Sequence, residues 1–416
     1  MFSASSRSPR LLVASLAVGV LSVVVPPVAG AAPQTGALTQ APSCATAAAP
    51  PAPVDTSEKP APGQTVPPPL PVPAEPVGGP LLGSCTTILP PGAPPLPAGD
   101  TAASWVVQDL DTGDVIAAKN PHARERPASL IKTLLALVVV TELKPDKIVV
   151  PTEEDAKQEC TCVGISAGAP YTVDQLLHGL LMHSGNDVAH AFATALGGVD
   201  VTVGKMNRLA ARIGATDTRA ATPSGLDGPG MSTSAYDLSV IFHYAMKQQE
   251  FAQAVGTKAY TIPASGGKPA IPVYNDNKLL GAYPGFLGGK TGFTDDARHT
   301  YVGAAERDGH RLAVVMMRAE QRPTLVVAQA GKLLDYGFAL EDKHAAPVGR
   351  IAYEALVATA PPGAPPLNVA PAAAKSAPAA KPDPFGTTGW ILTLVVAVII
   401  AAGFTLRHRL RKQRSA

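Results

Sequence analysis

The sequence predicts an α/β protein of the α+β kind: an antiparallel sheet built from both ends of one domain, flanked by helices and interrupted by an inserted helical subdomain. Three observations lead there. Ala103 to Leu110 alternates and is rich in valine, and with the turn Asp111-Thr112-Gly113-Asp114 and the apolar Val115 to Ala118 it reads as a hairpin. From Thr172 to about Ile213, apolar residues recur at three- and four-residue intervals, the period of helices. Gly288 to Phe293, Thr300 to Ala305 and Leu312 to Arg318 then read as strands, the last two joined at Asp308-Gly309, before an amphipathic helix from Thr324 to Phe338. Strands first, helices in the middle, and strands with a helix last bring both ends of the domain into one sheet.

The segments around that domain differ in composition. Arg7 and Arg10, the apolar run Leu11 to Val25 and Ala29-Gly30-Ala31 form the pattern of a secretory signal peptide over residues 1–31. Residues 32–99 hold more than two-fifths of the 43 prolines, with alanine, glycine and few aromatics, and are expected to be an extended, largely irregular arm. The domain proper spans residues 100–345, and residues 346–386 are a second proline- and alanine-rich linker. Residues 387–406 are apolar and long enough to cross a bilayer, and the basic tail 407–416, with Arg407, Arg409, Arg411, Lys412 and Arg414, belongs on the cytoplasmic side. The domain is thereby expected outside a bacterial plasma membrane, tethered as a single-pass protein. A net charge of +2 gives no reason for a nucleic-acid partner.

An exported chain with Cys44, Cys85, Cys160 and Cys162 is expected to form disulfides. Three pairings are open. Cys44 with Cys85 and Cys160 with Cys162 is preferred over bonds that would staple the arm to the domain. Zinc is the competing idea, but no second C-x-C or C-x-x-C lies nearby and His178, His183 and His190 lack ligand spacing, so no metal or other cofactor is expected.

The chemistry is organised around Arg126-Pro127-Ala128-Ser129-Leu130-Ile131-Lys132. A proline and then good helix formers place Ser129 in a first helical turn, with Lys132 one turn on along the same face. An amine that has shed its proton is a recognised activator of a serine nucleophile, and the unpaired N–H groups of a helix start suit a developing oxyanion. A serine three residues before a lysine arises by chance roughly once or twice in a chain this long, so the pair needs company. Ser184-Gly185-Asn186, in the helical insertion, offers a hydroxyl to relay protons and an amide to hold a carbonyl or a lysine; alone it would pass for a turn. Lys290-Thr291-Gly292, opening a strand, offers a cation and a hydroxyl for a carboxylate, and its glycine permits close backbone approach; alone it would pass for a solvated hairpin. The three together discriminate.

In that order, the motifs resemble those of the penicillin-recognising serine enzymes, with a β-lactamase/transpeptidase-like fold. His183-Ser184-Gly185-Asn186-Asp187, the loop Pro223 to Gly230, Ser234-Ala235-Tyr236-Asp237-Leu238 and Gly289-Lys290-Thr291-Gly292-Phe293-Thr294 are similar to D-alanyl-D-alanine carboxypeptidases, the low-molecular-mass penicillin-binding proteins. The resemblance covers roughly residues 101–340. It implies that Ser129 attacks the carbonyl of the penultimate D-alanine, that Lys132 takes its proton, and that Ser184, assisted by Lys290, carries a proton to the leaving amine. The N–H groups of Ser129 and Phe293 would form the oxyanion hole, Asn186 would position Lys132 and substrate, and Lys290, Thr291 and Gly292 would face the terminal carboxylate, with Arg322 or Arg318 as a further partner. Implied ligands are peptidoglycan stem peptides ending in D-Ala-D-Ala, and β-lactams. Unlike family members with a second, β-rich domain, the chain from Ala339 onward is too short and proline-rich for one.

Three alternatives share the motifs. A class A β-lactamase would carry a glutamate in a loop after the second motif, yet no glutamate occurs between Glu159 and Glu250, leaving only an aspartate such as Asp227. A transpeptidase differs only in which nucleophile resolves the acyl-enzyme. A non-catalytic penicillin sensor would need an output domain beyond Leu406.

Overall fold

The computed structural model describes residues 44–351. The expected signal peptide, the apolar segment 387–406 and the basic tail lie outside the described residues. Among the described residues, no helix is long and apolar enough to cross a membrane.

The expected hairpin is β2 (Ser104–Asp109) and β3 (Asp114–Lys119), paired from Trp105 opposite Lys119 to Val107 opposite Ala117. The Asp109 carboxylate closes its turn by accepting the N–H groups of Asp111 and Thr112 at 2.6 and 2.7 Å. β8 (Phe286–Thr294), β9 (Arg298–Arg307) and β10 (His310–Ala319) are the expected later strands, each longer than its apolar stretch. Asp308 and Gly309, both at positive φ, make the two-residue turn whose twist suits a hairpin. β10 lies antiparallel to β2, so the sheet runs β1 (Thr87–Ile88), β3, β2, β10, β9, β8 and joins the first strands of the domain to its last.

Both sheet faces are covered. Val106, Val302 and Val315 face the larger core with the helices of the insertion, whereas Trp105, Val107 and Val314 pack with Leu333, Leu334 and Phe338 of α8 (Val326–Glu341). Consecutive residues of β2, β9 and β10 are therefore buried on both faces of the sheet. At the centre of the larger core lies α1 (Lys132–Glu142), buried from Lys132 through Val139, as a helix apolar on all sides must be. Around it stand α3 (Val173–Met182), α4 (Asn186–Ala195), α5 (Val199–Arg212), α6 (Ala235–Ala245) and α7 (Gln249–Gly256). Thr172 and Gln175 form a capping box on α3, and Ser234 caps α6.

Several details differ from expectation. The helix does not begin at Ser129: Ala128–Ile131 is a 3₁₀ turn and the α-helix starts at Lys132. Ala128, at a φ of 47°, reverses the chain behind Pro127, and the Leu130 N–H then bonds three residues back to the Pro127 carbonyl. Four short strands and a helix turn were not anticipated: β4 (Ile148–Val149) with β5 (Tyr171–Thr172), β6 (Ala259–Ile262) with β7 (Ile271–Tyr274), and α2 (Glu153–Ala156). Each is too short for a periodic signal. The domain also continues past residue 345, because β11 (Gly349–Arg350) pairs with Val115 and Asp114 of β3 and both Val348 and Ile351 are buried.

The arm is extended as expected, but it is seated on the domain. β1 (Thr87–Ile88) adds to the edge of β3 at Lys119 and Ala118, and Leu82 is fully buried. Arg124 donates to the carbonyls of Ala48, Leu70 and Pro71, Arg126 to that of Pro51, and Arg219 to that of Pro68. Proline leaves carbonyls without matching N–H groups, and buried or half-buried guanidinium forks supply the donors. Cys44 is joined to Cys85 and Cys160 to Cys162.

Candidate active site

Between Ala123 and Val139 every residue is buried except Ser129, which is partly exposed. The 3₁₀ turn matters here, since side chains three apart eclipse in it. Lys132 Nζ accordingly lies 2.9 Å from Ser129 Oγ. Nζ also donates to Asn186 Oδ1 at 2.8 Å and to the Ser224 carbonyl at 2.5 Å. Burial, first, and the charge of Lys290, second, hold the Lys132 amine well below the ordinary lysine range, against a smaller opposing pull from Asp187.

The second motif sits between α3 and α4. Asn186 is the first residue of α4, and its amide is oriented by donation from Nδ2 to the Glu159 carbonyl at 2.7 Å, which leaves Oδ1 for Lys132. Ser184 has a φ of 64°, an uncommon conformation for a residue with a side chain, and its buried hydroxyl has no hydrogen-bond partner among the described residues. Asp187 anchors the preceding loop, its carboxylate accepting the N–H groups of Val163, Gly164 and Ile165 at 3.0, 2.8 and 3.2 Å.

The third motif lies on β8, at the free edge of the sheet, which packs against the 3₁₀ turn. Gly292 is required there: a Cβ would stand 2.4 Å from Thr300 Oγ1 and 2.9 Å from the Ser129 nitrogen. Thr300 Oγ1 in turn donates to the Pro127 carbonyl at 2.9 Å and fixes the entry to the turn. On the other side Gly225, at a φ of 89°, lets the loop Pro223 to Gly230 pass within contact of the Ala128 carbonyl. Lys290 is buried, donates to the Thr291 carbonyl at 2.8 Å, and has its ammonium pushed down to about 8 by burial, with Asp276 pulling the other way. Phe293, half-exposed, rests its ring on His299 and beneath the Arg298 guanidinium.

Ser129, Lys132 and Asn186 are thus joined directly, while Gly292 brings the Lys290 strand against the serine's backbone. Arg322 is exposed before the cis bond to Pro323 and makes no hydrogen bond or ion pair among the described residues; Arg318 acts electrostatically on Glu125 and Glu320. The three histidines considered for zinc are engaged elsewhere, His178 stacked on Tyr260, His183 near Asp276 and His190 near Asp155. Asp227 has its carboxyl raised to about 6 by burial, opposed by a hydrogen bond with Thr294, and feels the charges of Asp296, Arg126 and Glu58. Sequence reasoning missed the Ser224 and Glu159 carbonyls, because backbone acceptors carry no side-chain signal.

A serine on a 3₁₀ turn packed against the free edge of an antiparallel sheet, paired with the buried amine that opens the following helix, defines a serine acyl-transfer enzyme with the penicillin-recognising fold. Residues 94–321 match the family described as D-alanyl-D-alanine carboxypeptidase. The chain is 49% identical over 258 residues to the D-alanyl-D-alanine carboxypeptidase DacB2 of Mycobacterium tuberculosis, covering 61% of this chain and 87% of that protein. It is 30% identical over 249 residues to DacF of Bacillus subtilis, covering 58% of this chain and 64% of that protein. Among solved structures, a D-alanyl-D-alanine carboxypeptidase from M. tuberculosis superposes with a TM-score of 0.60 at 47% identity, over 63% of this chain and 99% of that one. The Streptomyces K15 DD-transpeptidase gives a TM-score of 0.54 at 28% identity, over 60% and 99%. The chain belongs to the D-alanyl-D-alanine carboxypeptidase family and is a serine hydrolase.

Proposed function

We propose that this protein removes the terminal D-alanine from peptidoglycan stem pentapeptides through an acyl-enzyme on Ser129, and that β-lactams acylate the same hydroxyl. The observation that carries the reading is the environment of Lys132 Nζ. A neutral amine has two hydrogens and one lone pair. The carbonyl oxygens of Asn186 and Ser224 take the hydrogens, so the lone pair is left for the Ser129 hydroxyl, which donates to it. A free lysine would be neutral in only about one molecule in a thousand or fewer at pH 7; full burial removes that obstacle.

Ser129 Oγ then attacks the penultimate D-alanine carbonyl while Lys132 takes its proton. The N–H groups of Ser129 and Phe293 receive the oxyanion. Ser184, whose hydroxyl is otherwise unpartnered, passes a proton to the leaving D-alanine nitrogen, and Lys290 and Thr291 face the terminal carboxylate. Water attacks the ester to regenerate the hydroxyl. The full chain incubated with diacetylated lysine-D-alanine-D-alanine should release D-alanine, and Ser129→Ala should abolish both that release and labelling by penicillin. D-alanine release by the variant would sink the mechanism.

The same proposal places the domain outside the plasma membrane, held by residues 387–406. The apolar run and the basic residues after it support this reading. A chain ending at Pro384 should be found active in the culture medium, and retention of that shortened chain in the membrane fraction would refute the anchor.

A further inference from the structure

The loop before the second motif carries a feature the mechanism has not used. Asn186 is held twice by it, its N–H donating to the Thr161 carbonyl at 2.7 Å and its Nδ2 to the Glu159 carbonyl at 2.7 Å. Those two acceptors flank Cys160, and Cys160 is bonded to Cys162. Glu159, Cys160 and Thr161 are exposed and belong to no helix or strand, so the segment has no packing of its own to fix where its carbonyls point. Further on the loop is secured separately, by Asp187 at residues 163–165. The small disulfide ring is what stiffens the stretch in between.

We propose that the Cys160–Cys162 disulfide is a positioning element for the reaction: it fixes the Glu159 and Thr161 carbonyls, these orient the Asn186 amide, and Asn186 Oδ1 in turn holds Lys132 against Ser129. An amide group can present oxygen or nitrogen to a neighbour. Only with Nδ2 committed to Glu159 does Oδ1 face Nζ. Asn186 Oδ1 covers one side of Nζ, so loosening Asn186 admits water to an amine whose lowered ionisation depends first on dehydration. The charged groups acting on that amine are Lys290 of β8 and Asp187 of α4, and neither lies within residues 159–162. The bond is solvent-accessible at Cys160, so an external dithiol can open it, leaving two cysteine thiols and an oxidised reagent.

The test rests on the reading of Ser129 and Lys132 and is arranged to fail separately from it. The full chain and its Cys160→Ser/Cys162→Ser variant, which retains Cys44–Cys85, are acylated with labelled benzylpenicillin across the acid limb of the rate profile. No labelling of the parent at Ser129 would overturn the functional reading. If the parent is labelled, the variant's limb should move to higher pH by about one unit, giving roughly tenfold slower acylation on the acid side and a gap that narrows as pH rises. In an Asn186→Ala background, removing the disulfide should shift the limb no further. A rate unchanged by the double substitution, a deficit equal at every pH, or a full additional shift without Asn186 would each overturn the proposal.

Discussion

Lys132 and Lys290 are both buried ammonium-bearing side chains, yet the reaction needs one without its proton and the other with it. Dehydration lowers both, and Lys132 falls further because Lys290 adds its repulsion. Acylation should therefore rise with pH along the lowered Lys132 ionisation and fall again near pH 8, where Lys290 loses its charge. Lys290→Arg separates the two limbs, since a guanidinium does not titrate in this range. The variant should bind D-Ala-D-Ala substrates about tenfold more weakly, while its acylation rate keeps the rising limb and stays level beyond pH 8. Persistence of the falling limb in that variant would assign it to another group. At this scale the sequence was legible wherever chemistry resides in side chains: Ser129, Lys132, Asn186 and Lys290 stand where their motifs implied. It was opaque for the carbonyls of Ser224 and Glu159, which any residue type would offer.

Among the elements, hairpins and core helices were readable because their apolar residues repeat with a clear period. The arm was readable only in part. Low apolar content argued that it could not bury enough surface to order itself, and that argument holds for the arm alone. Arg124 supplies what the arm lacks: with only 1% of its surface exposed, it grips three arm carbonyls at 2.6–2.8 Å and takes Asp217 as counter-charge through Nε at 3.2 Å. A single arginine in the domain thus ties down a proline-rich chain at two separate points, Ala48 and Leu70-Pro71, which composition cannot foretell. Arg124→Lys retains the charge but loses the fork. It should lower unfolding free energy by about 2–4 kcal/mol. The same variant should expose the arm around residues 64–73 to proteolysis while penicillin still labels Ser129. An arm that stays as protease-resistant as in the parent would show that Cys44–Cys85 and β1 suffice to seat it.

Across the described residues as a whole, β1 and β11 share the edge of β3, so residues that composition assigned to flanking linkers complete the sheet. Glu125 couples this frame to the site. Its backbone exchanges hydrogen bonds with Thr233, just before α6, at 2.8 and 2.9 Å, and its nearly fully buried side chain lies in the field of Arg318 and Arg126. Burial raises its carboxyl from 4.5 to about 7, and the two arginines only partly offset that rise. The folded protein therefore holds a proton that the unfolded chain gives up more readily. Below pH 4.5 the group is protonated in both states and contributes nothing to the difference; between there and about pH 7 each rise in pH favours unfolding, and above that the full penalty remains. The penalty is at most about 3–4 kcal/mol, since each unit of displacement corresponds to about 1.4 kcal/mol. Glu125→Gln, neutral and nearly isosteric, should thus raise the denaturant midpoint on the alkaline side of pH 7 and leave it unchanged below pH 4.5. Equal midpoints for the two proteins on the alkaline side would mean that Arg318 and Arg126 keep the carboxylate ionised at no cost, and that the site's approach from Glu125 to Ser129 carries no proton linkage.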